Sequence, residues 1–578
     1  MRRLVGLLAL LYIVGVGSVV AQPTVRAGPT ALVGPTVINP ADSTVTDDAT
    51  ILIEGERIAQ VGPSSEVAVP EDATVHEMEG KYVIPGLIDG HVHFFQSGGL
   101  YTRPDVIDLR AARPYAKELR RIKERLPDTF RRYLRSGVTS VVDVGGPLWN
   151  LDIRARADTT AMAPTVVTAG PLISSVSRPS LDEGDPPILQ ITTPEAARQE
   201  VREQVEAGVD LIKIWYIVRE SPATYRPVVE ATVDEAHTAG KRVAVHATEL
   251  ETARAAVEAG VDILVHSVSD KPVDDDFVRL LQENDVLYTP TLMVGERYSE
   301  TFAQELELTL AEHRLGQKDV INSLTDVQVL PDSLVPVSIR QRIERSPSVP
   351  SDTTAMRNLT RLHDAGVPIA AGTDAGNIGT PHGPALFHEF NLMRAAGLTP
   401  REILATATAG GARLMERLGT LGQVKPGYQA DLVVLDENPL NDITHTKALH
   451  RVVKRGRVFA PDSLIPRTPE EVVFQAHNAY NTHDAEAFVD AFAPDLKVYE
   501  HPDTLLLTGR DTLAAQYGPL LREATDLHST FHYHTTIGDT FTAHETIDGL
   551  PGRDRPLSQV FLYRVTDGRI DRAWLLQE

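Results

Sequence analysis

Cysteine is absent from the 578 residues, which removes thiolate nucleophiles, thiolate zinc sites, iron–sulfur clusters and disulfide scaffolds together. Any metal must therefore sit on His, Asp, Glu or a modified Lys. Aromatic residues are scarce at 6%, yet 42% of the chain is hydrophobic, too much for disorder and enough for several ordinary cores. Runs of Lys or Arg are also missing, and 56 Lys+Arg against 79 Asp+Glu leave a formal net charge of −23. That balance argues against nucleic acid or an anionic membrane as partner, since both need a concentrated basic face. Past residue 21 no segment is long and apolar enough to span a bilayer.

What is present begins with MRRLVGLLALLYIVGVGSVVAQ. Arg2 and Arg3 precede an apolar run from Leu4 to about Val16, and small residues lead to Ala21. This is the pattern of a secretory signal cut after Ala21. It predicts an exported protein, periplasmic or secreted, with no stable membrane insertion once residues 1–21 are gone.

Short β-rich runs separated by Gly, Asp and Pro turns fill Val33 to Tyr82, and a matching fragment returns from Ala430 to Val458. Residues 22–83 and 420–460 are therefore expected to assemble one composite β-sandwich. Between them, in 84–419, eight apolar runs alternate with amphipathic stretches: VIPGLID, VTSVVDV, TVVTA, LIKIW, VAVH, ILVH, VLYTP and PIAAGTD. Such alternation predicts an α/β fold, a (β/α)₈ TIM barrel. An open doubly wound sheet would carry a glycine-rich phosphate turn after its first strand, whereas here that strand runs into Asp89-Gly90-His91-Val92-His93. The charged stretch 297–350 reads as a helical lid. After a proline-punctuated linker at 461–469, residues 470–578 read as a separate α+β unit: one helix over 471–492, then strands at Lys497–Tyr499, Ser529–Thr536, Thr540–Asp548, Ser558–Thr566 and Arg569–Leu576.

Candidate chemistry clusters at strand ends. His91 and His93, two apart on a strand, point the same way and reach one ion. His246 closes VAVH, His266 closes ILVH, and Asp374 ends the eighth run in AAGTDAG, all where barrel enzymes place their catalytic groups. Lys213 lies between Ile212 and Ile214 on a strand the barrel encloses. It is either paired with a buried carboxylate or pushed towards a neutral amine, which takes up carbon dioxide to become a bidentate carbamate ligand. Tyr288 ends the seventh run and His382 follows the eighth; both are candidates to line a substrate pocket.

VIPGLIDGHVH, GVDLIKIW, AGTDAG, the stretch from His382 to Met415, and GTLGQVKPGYQADLVVLDENPL together resemble the amidohydrolase superfamily. The likeness is to its imidazolonepropionase-like and prolidase-like branch with a carboxylated lysine, and it spans about Val33 to Val458. It implies two divalent ions, zinc by default. His91, His93 and Asp374 would hold the first, His246 and His266 the second, and carboxylated Lys213 would bridge them. Relatives often carry an acidic residue where Val265 stands before His266, which puts the orientation of that imidazole in question. A metal-bridging hydroxide would attack an amide or cyclic amide, with Lys213 and Asp374 as catalytic residues and Asp374 carrying the proton. The substrate class is thus a small-molecule amide, cyclic amide or short peptide. Rivals are an Xaa-Pro metallodipeptidase, a one-metal deaminase, and an extracytoplasmic small-molecule binder with an inactive barrel.

The C-terminal unit resembles the nuclear transport factor 2-like (SnoaL-like) cone. The likeness rests on Tyr480-Asn481, His483-Asp484, Phe492-Ala493, Asp495 and the Asp567-Gly568-Arg569-Ile570 turn before Trp574. It implies homodimerisation or capture of a small apolar ligand.

Overall fold

A computed structural model describes residues 28–218, 221–331, 333–337, 340–341, 353–553 and 555–577. The signal read at 1–21 and part of the lid stretch lie outside the described residues. Among the described residues no helix is long and apolar enough to cross a membrane.

Alternating side chains at the N-terminus build two small sheets around a shared core. One has four strands: Arg57–Pro63, Ala49–Glu54, Thr30–Val33 and Thr74–Glu77. The other has six, in the order Arg457–Phe459, Leu449–Lys454, Leu432–Leu435, Tyr82–Pro85, Thr36–Asn39 and Thr44–Thr46. Leu432–Leu435 pairs antiparallel with Tyr82–Pro85, so chain from both sides of the barrel shares one sheet. Leu32, Ile51, Val83, Leu432 and Val453 fill the space between.

The barrel strands follow in sequence order: Leu87–Val92, Val138–Asp143, Thr165–Thr168, Ile212–Trp215, Val243–His246, Ile263–Val265 and Leu287–Thr289. Regular ladders join them in two parallel groups. Irregular backbone bonds bridge the gaps. Asp210 N donates to Thr168 O between the third and fourth strands, Tyr288 N donates to Pro368 O, and Gly90 N donates to Ala371 O, at 2.9, 2.9 and 2.8 Å. Residues 368–374 thus act as the eighth strand, bridged to both neighbours. Period-two alternation sorts the side chains. Ile88, Val142, Val167, Leu211, Ala244, Ile263 and Leu287 pack inside the barrel, while Ile212, Ile214, Val243, Val245 and Leu264 pack outwards on the helices.

Helices fall where amphipathic patterns predict them, at Tyr115–Arg135, Pro194–Ala207, Pro222–Thr238, Leu250–Glu258, Asp275–Glu283 and Thr353–Asp364. Thr193 and Asp274 cap two of them, accepting from Ala196 N and Phe277 N. A helix at Asn150–Thr159 and two short extra strands, Leu172–Ser174 and Ile188–Gln190, were not legible in the sequence. Over the mouth, helices Met293–Ala303, Leu310–Leu315 and Lys318–Ser323 press Phe302 and Leu324 against Leu100, Tyr101 and Ile107 of the loop after the first strand.

The stretch expected as a linker holds a short helix, Pro461–Leu464, whose Leu464 is buried with Leu134 and Val452. Beyond it the third unit departs from the expected order. The single helix expected over 471–492 breaks where His483 takes φ +59° and Asp484 caps a second helix, giving Pro469–Asn481 and Ala485–Asp490. A strand at Thr504–Thr508 and a helix at Arg510–Glu523 intervene before the remaining strands. Six strands form one sheet, with Phe492–Glu500 parallel to Arg569–Gln577. Val473, Phe488, Leu521, Phe541 and Phe561 are among its core.

Candidate metal centre

At the C-terminal ends of the barrel strands lies a cavity of about 970 Å³. The first strand delivers His91 and His93. From the eighth comes Asp374, held at φ +59°, a backbone region sparsely used by non-glycine residues and typical of functional sites. Asp374 N donates to His91 O at 2.8 Å, locking the two strand ends together. Asp374 Oδ1 consequently lies 3.4 Å from His91 Nε2 and 3.3 Å from His93 Nε2. One atom from each of these three residues falls within 4.8 Å of the others. The ring of His266 is centred 4.7 Å from that of His91 and 4.5 Å from that of His246. Lys213, 1% exposed, lines the same cavity from the fourth strand. The structure therefore brings all six of these candidate residues to one rim.

Hydrogen bonds set which face of each ring is free. His93 Nδ1 donates to Gly145 O at 2.7 Å, leaving the Nε2 lone pair on the side of Asp374. His266 Nδ1 lies 2.7 Å from Thr291 Oγ1, so a hydroxyl two residues past the seventh strand fixes the imidazole whose orientation Val265 left in question. Asp89, buried beneath, accepts from Thr373 Oγ1 at 2.7 Å, Thr373 N at 3.1 Å and His91 N at 3.3 Å, fastening the first strand to the eighth. Burial pushes its carboxyl up to about 7 against the pull of those bonds.

Electrostatics follow from burial. Desolvation, reinforced by the Lys213 amine, brings His93 and His246 down to about 3. The same causes hold His91 well below the usual imidazole range, and in His266 the neighbouring His246 adds to burial. All four rings are neutral at pH 7 and offer lone pairs. Burial drives the Lys213 amine down, opposed by Asp374, and drives the Asp374 carboxyl up, opposed by Lys213 and Arg103.

Both ring nitrogens of His91, Asp374 Oδ1 and Lys213 Nζ are buried with no hydrogen-bond partner among the described residues. Leaving such groups unmade costs about 1–3 kcal/mol each, more when charged. Neutral imidazoles converging with a carboxylate, and no thiolate, form a donor set that a divalent ion satisfies. The residues present fit one cation at His91, His93 and Asp374, with His246, His266 and Lys213 facing the same space.

Two expectations are corrected. Tyr288 points out of the barrel into the helix-facing core, where its hydroxyl accepts from Val268 N at 3.0 Å, so it does not line the cavity. His382 stacks on Phe94 with both nitrogens engaged, Nδ1 with Tyr133 OH at 2.7 Å and Nε2 with Gln96 O at 2.8 Å. It braces the loop behind the site. Conversely, the sequence reading missed Arg103. Its guanidinium forks onto Asp105 through two 2.7 Å bonds and donates to Asn377 Oδ1 at 2.5 Å, and Tyr298 OH reaches the same Asn377 oxygen at 2.7 Å. Asn377 is 274 positions away in the chain, and only the Arg103-x-Asp105 spacing hinted at the group.

Residues 82–459 match the model of the amidohydrolase family, and residues 473–573 match that of the SnoaL-like domain. The ochratoxinase of Aspergillus niger is 26% identical over 465 residues, covering 74% of this chain and 86% of that protein. The imidazolonepropionase of Cutibacterium acnes is 26% identical over 428 residues, covering 72% and 91%. Among solved structures, an Xaa-Pro dipeptidase with bound methionine in the active site superposes with a TM-score of 0.57 at 22% identity, over 75% of this chain and all of that one.

Proposed function

We propose that this chain, which belongs to the amidohydrolase family and is a hydrolase acting on carbon–nitrogen bonds, cleaves an amide or cyclic amide using divalent ions. His91, His93 and Asp374 would hold one ion, His246 and His266 the other, and Lys213, as its carbamate, both. The observation that carries this reading is the convergence of unpartnered buried atoms from His91, Asp374 and Lys213. When bound, such ions supply Lewis-acid activation of a water and of the substrate carbonyl.

The chain's own residues do the rest. Asp374 accepts the proton of the attacking water at its carboxylate and delivers it to the departing nitrogen, a role suited to a carboxyl whose burial raises its proton affinity. Phe95, Leu172, Leu181, Ile188 and Trp215 line the cavity with apolar surface that receives the substrate's non-polar part. Arg103, Tyr298 and Asn377 add a cross-linked polar group to the same lining.

The test is a panel of N-acyl amino acids, Xaa-Pro dipeptides and lactams, assayed with metal-stripped and reloaded protein. Turnover of N-acyl or lactam substrates only after reloading supports the reading. Selective turnover of Xaa-Pro dipeptides moves it to the dipeptidase, and no turnover of any member at defined metal content sinks it. The segment 1–21 supports export before the enzyme acts.

A further inference from the structure

Arg135 ends the helix Tyr115–Arg135 on the outer wall of the barrel. Its residue is 8% exposed and its Nε is buried with no hydrogen-bond partner. Among the described residues no ion pair holds its guanidinium. Holding a guanidinium largely out of water without a direct ion pair is unfavourable. Burial, with Arg314 and Arg467 adding to it and the more weakly felt charges of Asp462 and Glu471 opposing it, lowers its pKa to about 10.

The side chain faces a cleft of about 1520 Å³ between the lid helices and the first helix of the C-terminal unit. Six Lys or Arg line this cleft against four Asp or Glu, in a chain whose net charge is −23. The acids are already engaged. Glu471 lies 3.4 Å from Arg314 and also accepts from Thr468 N, Asp462 pairs with Arg467 at 2.9 Å, Glu470 with His534 at 3.2 Å, and Asp436 with Lys81 at 2.8 Å. Of the cleft's cations without an ion pair among the described residues, Arg135 is the buried one, whereas Lys318, Lys447 and Arg451 are exposed or half-buried.

We propose that this cleft is a binding site for a small multivalent oxyanion, either free phosphate or the phosphate of a larger molecule, anchored on Arg135 and flanked by Arg314 and Arg467. A planar guanidinium matches a phosphate with two parallel hydrogen bonds. Because the lining comes from both units, the bound anion ties the C-terminal unit to the lid side of the barrel.

The full-length, metal-stripped protein is titrated calorimetrically with inorganic phosphate and with phenyl phosphate, and its thermal unfolding is followed at constant ionic strength against chloride. Phosphate is expected to raise Tm and chloride not to, with at least tenfold weaker binding in Arg135→Gln. Tighter binding of the ester assigns the site to a larger phosphorylated molecule, and equal or weaker binding assigns it to free phosphate. In phosphate-free buffer Arg135→Gln is expected to unfold at the same or a higher temperature than the parent, which a structural arginine would not allow. The absence of a phosphate-specific shift in the parent overturns the proposal. Undiminished binding in Arg135→Gln overturns it too, as does a variant that fails to fold without phosphate.

Discussion

Thr291 Oγ1 stands 2.7 Å from Nδ1 of His266, and both residues hold positive φ, +45° and +70°. The strand ends are bent so that a hydroxyl from one loop aims an imidazole from another. Removing that hydroxyl with Thr291→Val leaves the ring in place but free to turn. Metal affinity, read by competition with a chelating dye, is expected to fall 10- to 100-fold, with the fold unchanged by circular dichroism. Unchanged affinity would show that the hydroxyl does not position His266.

In the proposed mechanism Asp374 would serve the site twice, as a ligand atom beside His91 and His93 and as the proton carrier. Asp374→Asn keeps the shape and removes the base. Loss of about 10²- to 10⁴-fold in kcat is expected, with metal content measured in parallel to separate the two roles. A variant that keeps full metal and full activity sinks the proton-transfer assignment.

Lys213 separates chemistry from folding. In Lys213→Ala activity should vanish and return in part when a short carboxylic acid takes the place of the carbamate proposed at Lys213. Lys213→Met, assayed without metal, should be about 1–3 kcal/mol more stable than the parent, because an unpartnered buried amine has been replaced by apolar bulk. Destabilisation instead would mean that the amine is satisfied in the native state.

Lys454 is the structural contrast to Lys213. Equally buried, it donates to Asp431 Oδ2 at 2.6 Å, Thr139 O at 2.8 Å and Thr165 Oγ1 at 2.8 Å, pinning the sandwich to the second and third barrel strands. Lys454→Ala strands the Asp431 carboxylate, and a loss of about 3–5 kcal/mol is expected in chemical denaturation. The kcat of protein still folded should not change.

The sequence carried the barrel and its ligand candidates because both obey local rules. Apolar runs of strand length, spaced by helical patterns, dictate which side chains face inwards, and strand-terminal His91, His93, His246, His266 and Asp374 then share a rim by topology alone. Lys213 was legible for the same reason, as a charge placed between two isoleucines. Tyr288 faces outwards by the same alternation that turns Leu287 inwards, but the break at His483 and the helix at Arg510–Glu523 were not legible. Each depends on a neighbour distant in the chain or on a single backbone angle.

Composition and periodicity therefore determined the class of fold, the kind of metal donor available and the strands that present them. Tertiary structure alone decided which nitrogen of each imidazole is free, which hydroxyl or carbonyl aims it, that Arg103 is spent on Asp105 and Asn377, and that Arg135 Nε is buried without a hydrogen-bond partner. Local patterns record which face a residue shows. Hydrogen-bond partners hundreds of positions apart are chosen only when the chain closes on itself, and burial then makes each match or mismatch energetically decisive.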